Sequence, residues 1–109
     1  MDWAARFVQR AKQIGVKICA GTDYINDLSR PFPFLFDELD LYVEKCGFYP
    51  MEAIFAATRV AAEVLGVADK TGAVEVGMQA DLLVLNGNPY DDIKELRNIQ
   101  MIMKRGKVM

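Results

Sequence analysis

The sequence predicts an α/β chain with its helices first and its strands last, on three observations. Apolar residues recur at helical spacing over two long stretches, Ala4, Phe7, Val8, Ala11, Ile14 and then Leu35, Phe36, Leu39, Tyr42, Val43, Cys46. Short apolar runs of strand length stand at residues 16–20, 73–76, 82–85 and 99–104. Glycines punctuate the ends of these stretches at positions 15, 47, 66, 72 and 77.

In chain order, Asp2 stands where it would cap a first helix, and Gly15 suits the left-handed residue that ends one. Residues 16–20, Val-Lys-Ile-Cys-Ala, then read as a strand that is apolar on both faces apart from Lys17, as in a parallel sheet covered by helices. Residues 24–34 form a loop marked by Asn26, Asp27, Pro31 and Pro33, and its length suits a loop that shapes a site. Phe32 and Phe34 would pack beneath it or border that site. A second helix follows, with Asp37, Glu38 and Asp40 complementing its N-terminal dipole and Gly47 ending it.

Pro50 fits the first position of a third helix, with Glu52 in its first turn. Tyr49 takes the capping position usually held by Ser or Thr, which should weaken that cap by about 1 kcal/mol. Thr58 can end this helix and cap a fourth, which runs through Ala61, Ala62 and Leu65 to Gly66. Its alanines suit close packing and carry no chemistry of their own. After Gly72 the residues change character. Residues 73–76 and 82–85 read as strands divided by a Gly77 turn, residues 91–96 as a short helical turn, and residues 99–104 as a third strand in which Met101 and Met103 alternate with Gln100 and Ile102. Arg105-Gly106 then turns the chain toward Lys107-Val108-Met109, which leaves it one strand short of a finished hairpin. Asp81 is read as a turn residue that anchors backbone N–H groups.

Composition narrows the possible functions. The chain has 109 residues, 52% hydrophobic and 26% charged, which places it among globular proteins. A whole (β/α)8 barrel needs about 250 residues, so this chain cannot hold one. A net charge of −2, with its 13 basic residues dispersed, gives no electrostatic footprint for nucleic acid or an anionic membrane. Lys104-Arg105-Gly106-Lys107, the densest basic group, reads as a solvated turn. Cys19 and Cys46 are too few and too far apart for a disulfide framework, and are expected to be reduced core residues. Without a leader-like start or an apolar run near 20 residues, the expected location is cytoplasmic.

One carboxylate stands out. Asp23 ends the turn Gly21-Thr22-Asp23, just past the apolar run of residues 16–20. Taken alone, an Asp after Gly-Thr is a common turn residue. Downstream come Ala56-Ala57-Thr58-Arg59-Val60-Ala61-Ala62-Glu63-Val64-Leu65-Gly66, then Gly72 and Gly77, then Ala80-Asp81-Leu82-Leu83-Val84-Leu85, then Asn88-Pro89. In this order and at these distances, the segments resemble the C-terminal part of the amidohydrolase superfamily. The Gly-Thr-Asp and Asn-Pro features look most like its imidazolonepropionase and Xaa-Pro dipeptidase-like branches. The resemblance runs over nearly the whole chain from Val16 onward.

The resemblance implies the last one or two β/α units of a TIM-type (β/α)8 barrel and the C-terminal strands of an accessory β-sandwich, incomplete in this chain. Residues 1–71 would be the barrel end and residues 72–109 the sandwich part. The intact enzyme would hydrolyse a C–N bond in an amide, cyclic amide or dipeptide with one or two divalent ions, zinc by expectation. Asp23 would be both metal ligand and proton carrier. A carboxylate can ligate the ion through one oxygen and accept a hydrogen bond from bound water through the other. The ion lowers that water's pKa from about 15.7 toward about 7, so the carboxylate can take its proton and later supply it to the leaving amine. Tyr24 and Arg30, in the loop after Asp23, would be substrate-binding. The family's other ligands are a His-x-His pair, a carboxylated Lys or Glu and two further His, all upstream of the part matched. This chain contains no histidine, and the His that many relatives carry in the loop after Asp23 is also missing. The isolated chain is therefore expected to hold no zinc and to be inactive. Unpaired strand edges lead to an expectation of self-association or of a complementary chain. The alternative is a non-catalytic remnant, or a subunit that completes a barrel with another polypeptide, with Met1 as a genuine start.

Overall fold

The computed structural model describes residues 3–23, 29, 31, 32 and 34–109. Four α-helices come first: α1 (Trp3–Gln13), α2 (Phe34–Lys45), α3 (Pro50–Ala57) and α4 (Arg59–Leu65). A three-stranded antiparallel sheet follows, in the order β1 (Leu82–Leu85), β2 (Ile99–Lys104), β3 (Lys107–Val108), with a 3-10 helix (Ile93–Arg97) between β1 and β2.

The helix ends are local chemistry. Beyond α1, the Gly15 N–H donates to Lys12 O and the Val16 N–H to Ala11 O, which fills two carbonyls that the helix would otherwise leave open. At the start of α3, Tyr49 makes no side-chain capping bond, as expected, while the Glu52 carboxylate accepts from the Tyr49 N–H at 3.0 Å. Thr58 does end α3, but it does not cap α4 with its side chain. Its hydroxyl donates to Ile54 O at 2.8 Å and is thereby engaged one turn back.

Two expected strands are not formed. Residues 16–20 carry no regular secondary structure, and the Ala20 N–H donates to Ala56 O at the end of α3. A strand exists only as a ladder with a neighbour, and no described strand pairs with this segment. Residues 73–76 likewise pair with no described strand, running from a bend at Ala73 into a turn at Val76, with Val74 and Val76 exposed. The end of the chain departs in the opposite sense. Residues 107 and 108 do close a hairpin on β2, in the register Lys104↔Lys107 and Met103↔Val108. Arg105 (φ 50) and Gly106 (φ 79) are both left-handed, the geometry that a two-residue hairpin turn requires. Asp81 anchors that turn as expected, accepting from the Arg105 N–H at 2.8 Å.

The core joins both ends of the chain. Phe36, Leu39, Tyr42 and Cys46 of the α2 stripe pack with Ala5 of α1, Phe48, Ala53 and Ala56 of α3, and Ile93 and Leu96 of the 3-10 helix. Tyr42 stacks on Phe48 with ring centroids 4.9 Å apart. Ala53 is wholly buried, so α3 approaches α2 closely. Neither Cys46, which is buried, nor Cys19, which is half-buried, forms a disulfide.

Candidate functional site

The segment of residues 16–22 places Asp23. Ile18, Cys19 and Ala20 are half-buried, Ala20 is held to α3 by its backbone, and the chain then emerges through Gly21 and Thr22 to an exposed Asp23. Asp23 has φ 55, left-handed for a residue with a Cβ. That conformation costs roughly 1–2 kcal/mol for most L-residues and less for Asp, and such residues concentrate at functional sites. A free carboxylate at the end of an anchored segment can ligate a cation, accept a hydrogen bond or carry a proton.

Tyr24 and Arg30, the expected substrate-binding residues, lie outside the described residues, as do Asn26, Asp27 and Pro33 in the same loop and Asp2 before α1. Phe32 is described. It is half-buried against the core, with its ring centroid 6.1 Å from that of Phe36.

The described residues do not by themselves fit a zinc site. Among them no group of three or more His, Cys, Asp or Glu could hold a metal ion, whereas catalytic zinc takes about three protein ligands. A carboxylate group on α2, Asp37, Asp40 and Glu44, is already engaged by Arg97 and Lys94. That ionic cluster escaped sequence reasoning. Its one visible trace is that Asp40 lies three residues from Asp37 on one face of a helix, with no basic residue nearby in sequence to explain it.

A sizeable concavity lies elsewhere among the described residues. A groove of about 980 Å³, open to solvent, runs between α3, α4 and the free edge of β1, and Ile54, Ala57, Ala62, Leu65, Val84 and Leu85 contribute to its walls. Asp23 does not line it. Among the described residues no strand pairs with the outer edge of β1. No described helix is long and apolar enough to cross a membrane.

Comparison with known proteins gives a consistent result. The model of the Amidohydrolase family matches residues 5–109. Ochratoxinase from Aspergillus niger is 38% identical over 104 residues, which is 92% of this chain and 21% of that protein. Imidazolonepropionase from Thermoplasma acidophilum is 32% identical over 109 residues, 97% of this chain and 25% of that protein. Among solved structures, a Xaa-Pro dipeptidase with bound methionine in its active site superposes with a TM-score of 0.83 at 34% identity, over 96% of this chain and 25% of the other. The chain thus spans about a quarter of the length of the relatives it matches.

Proposed function

Since the chain belongs to the amidohydrolase family, we propose that it is the C-terminal portion of a hydrolase that cleaves a C–N bond in an amide, cyclic amide or dipeptide. Residues 1–71 would form the end of a (β/α)8 barrel, and residues 72–109 the C-terminal part of a β-sandwich completed by upstream sequence. The observation that carries this reading is Asp23, left-handed and exposed just past a segment anchored to α3, inside the matched region.

In the intact enzyme Asp23 would supply one carboxylate ligand to a divalent ion, zinc by the family's chemistry, with upstream residues supplying the rest, and the bound ion would lower the pKa of a water for attack on the carbonyl. The role of Asp23 itself would be to hold the proton of that water and pass it to the departing nitrogen. Tyr24 and Arg30 contact the substrate. Imidazolonepropionase and Xaa-Pro dipeptidase among the relatives favour a small amide or dipeptide as the substrate class. The enzyme acts in the cytoplasm, without nucleic acid or membrane.

The free edge of β1 and the apolar groove beside it favour a second reading for the 109-residue chain itself, as a piece that self-associates or completes a barrel with another polypeptide. One experiment bears on both. The protein carrying the sequence upstream of Met1 is expected to purify with zinc and to hydrolyse methionyl-proline or another amide from a panel. Asp23→Asn should cut kcat by about 10²–10⁴-fold and preserve the fold. Near-normal kcat and metal content in that variant would reduce Asp23 to a turn residue.

A further inference from the structure

β1 ends at Leu85, and the next two residues are Asn86 and Gly87. A glycine after asparagine leaves the asparagine side chain open to attack by the backbone, because the following nitrogen has no side chain beside it to obstruct the approach. The fold keeps this approach clear. Asn86 is exposed, and among the described residues the Gly87 N–H makes no hydrogen bond that would hold its nitrogen elsewhere. The Asn86 side chain is tethered beside it. Its Nδ2 donates to Asn98 Oδ1 at 3.1 Å, and its backbone N–H donates to Asn98 O at 2.9 Å. Asn98 Nδ2 donates onward to Glu95 Oε2 at 3.0 Å. Glu95 lies against Gly87, where an added Cβ would run into its carboxylate.

Two further asparagines nearby lack this arrangement. Asn88 precedes Pro89, whose nitrogen carries no hydrogen, and its Oδ1 accepts from the Tyr90 N–H at 3.0 Å. Asn98 precedes Ile99, whose branched side chain crowds the nitrogen that would attack.

We propose that Asn86 is a self-modification site, converted in the folded chain to aspartate and isoaspartate through a cyclic imide. Water or hydroxide takes the Gly87 amide proton, the nitrogen attacks Asn86 Cγ, and the bond from Cγ to Nδ2 breaks with release of ammonia. Water then opens the imide. Cleavage between Cγ and the Gly87 nitrogen leaves aspartate, and cleavage between the backbone carbonyl carbon and that nitrogen leaves isoaspartate. Water is the only co-reactant. The product also breaks the run of hydrogen bonds. Asn98 would then stand between two carboxylates, and its amide can turn its NH2 toward only one of them while its carbonyl faces the other. None of this depends on the hydrolase reading.

Incubating the folded 109-residue chain in mildly alkaline buffer, with peptide mapping by mass spectrometry at intervals, tests the site. Asn86 should convert several-fold faster than Asn98, with isoaspartate outweighing aspartate, and Asn88 should stay intact. Gly87→Ala should slow the conversion several-fold; should that variant not fold, the wild-type comparison of Asn86 with Asn88 and Asn98 still decides. Equal rates at Asn86 and Asn98 overturn the proposal. So does conversion of Asn86 only in urea, since the fold then blocks the attack, or conversion to aspartate alone, since direct hydrolysis bypasses Gly87. In a folded Asn86→Asp chain the Asn98 side-chain amide resonances should move in NMR, and unmoved resonances overturn the predicted break in the hydrogen-bond run.

Discussion

Gly72 closes the turn that follows α4, and replacing it by alanine should be among the costliest small changes available. It has φ +99, and a Cβ built there would lie 2.7 Å from the Ala62 Cβ and 3.0 Å from the Thr58 carbonyl oxygen. Neither neighbour is the end of a flexible side chain, so α4 and the turn would have to separate. Ala62, buried to 4% exposure, would lose its packing as they did. A left-handed backbone with a Cβ costs roughly 1–2 kcal/mol. Overpacking a tight contact adds about 1–3 kcal/mol. Gly66→Ala is the matched control, with φ +74 and nothing within 4 Å of its Cβ. It bears the backbone cost alone, and the entropy removed from the unfolded chain is the same in both variants. Gly72→Ala should therefore lie below Gly66→Ala by about 1–3 kcal/mol in urea unfolding followed by circular dichroism, with equal m-values. If the two variants unfold at the same midpoint, the close approach of the turn to α4 is refuted.

Leu39, 2% exposed at the centre of the α2 stripe, should cost about 2–5 kcal/mol when cut to alanine, read from the same urea curves. Glu52 should shape the acid limb of stability. Partial burial opposes its charge, but the Tyr49 N–H and the Lys12 ammonium at 2.9 Å together hold its carboxyl below the usual carboxylate range. A pKa depressed on folding contributes stability above the unfolded value, and that contribution is lost as pH falls through the folded one. Wild type should thus lose melting temperature more steeply than Glu52→Gln as pH drops from about 5 toward about 2; parallel profiles would dismiss the cap and ion pair as contributors. The exposed edge of β1 predicts concentration-dependent association of the 109-residue chain in light scattering, lowered by Leu83→Lys on its solvent face. A monomer at every concentration would remove the open-edge argument. Dialysed wild-type chain should retain no stoichiometric zinc by metal analysis, and one tightly held ion lost on Asp23→Ala would show that the ligand set is complete without upstream sequence.

Much of this molecule is written in local sequence, because helix ends and tight turns are decided by neighbours along the chain. The stripes from Ala4 to Ile14 and from Leu35 to Cys46, with Gly15 and Gly47 behind them, became α1 and α2 because period and cap act within a turn or two. Pro50 opens α3 and Gly66 closes α4 for the same reason. Asp81 and Arg105-Gly106 were legible as turn chemistry. Asp23 was legible as a carboxylate at the end of an apolar run, and family membership follows from the order of segments that continues from it. What tertiary structure alone decided depends on partners distant in sequence. Residues 16–20 and 73–76 have strand composition without a ladder, because a strand's hydrogen bonds must be supplied by another segment. The Arg97–Asp40 ion pair joins residues 57 apart, and no periodicity or propensity reports which of 13 basic side chains will meet Asp40. The hydrogen bond that holds Ala20 to α3, three residues before Asp23, likewise joins residues far apart in sequence. Local rules set the elements. Long-range packing set which charges meet, because those partners are brought together only by the fold.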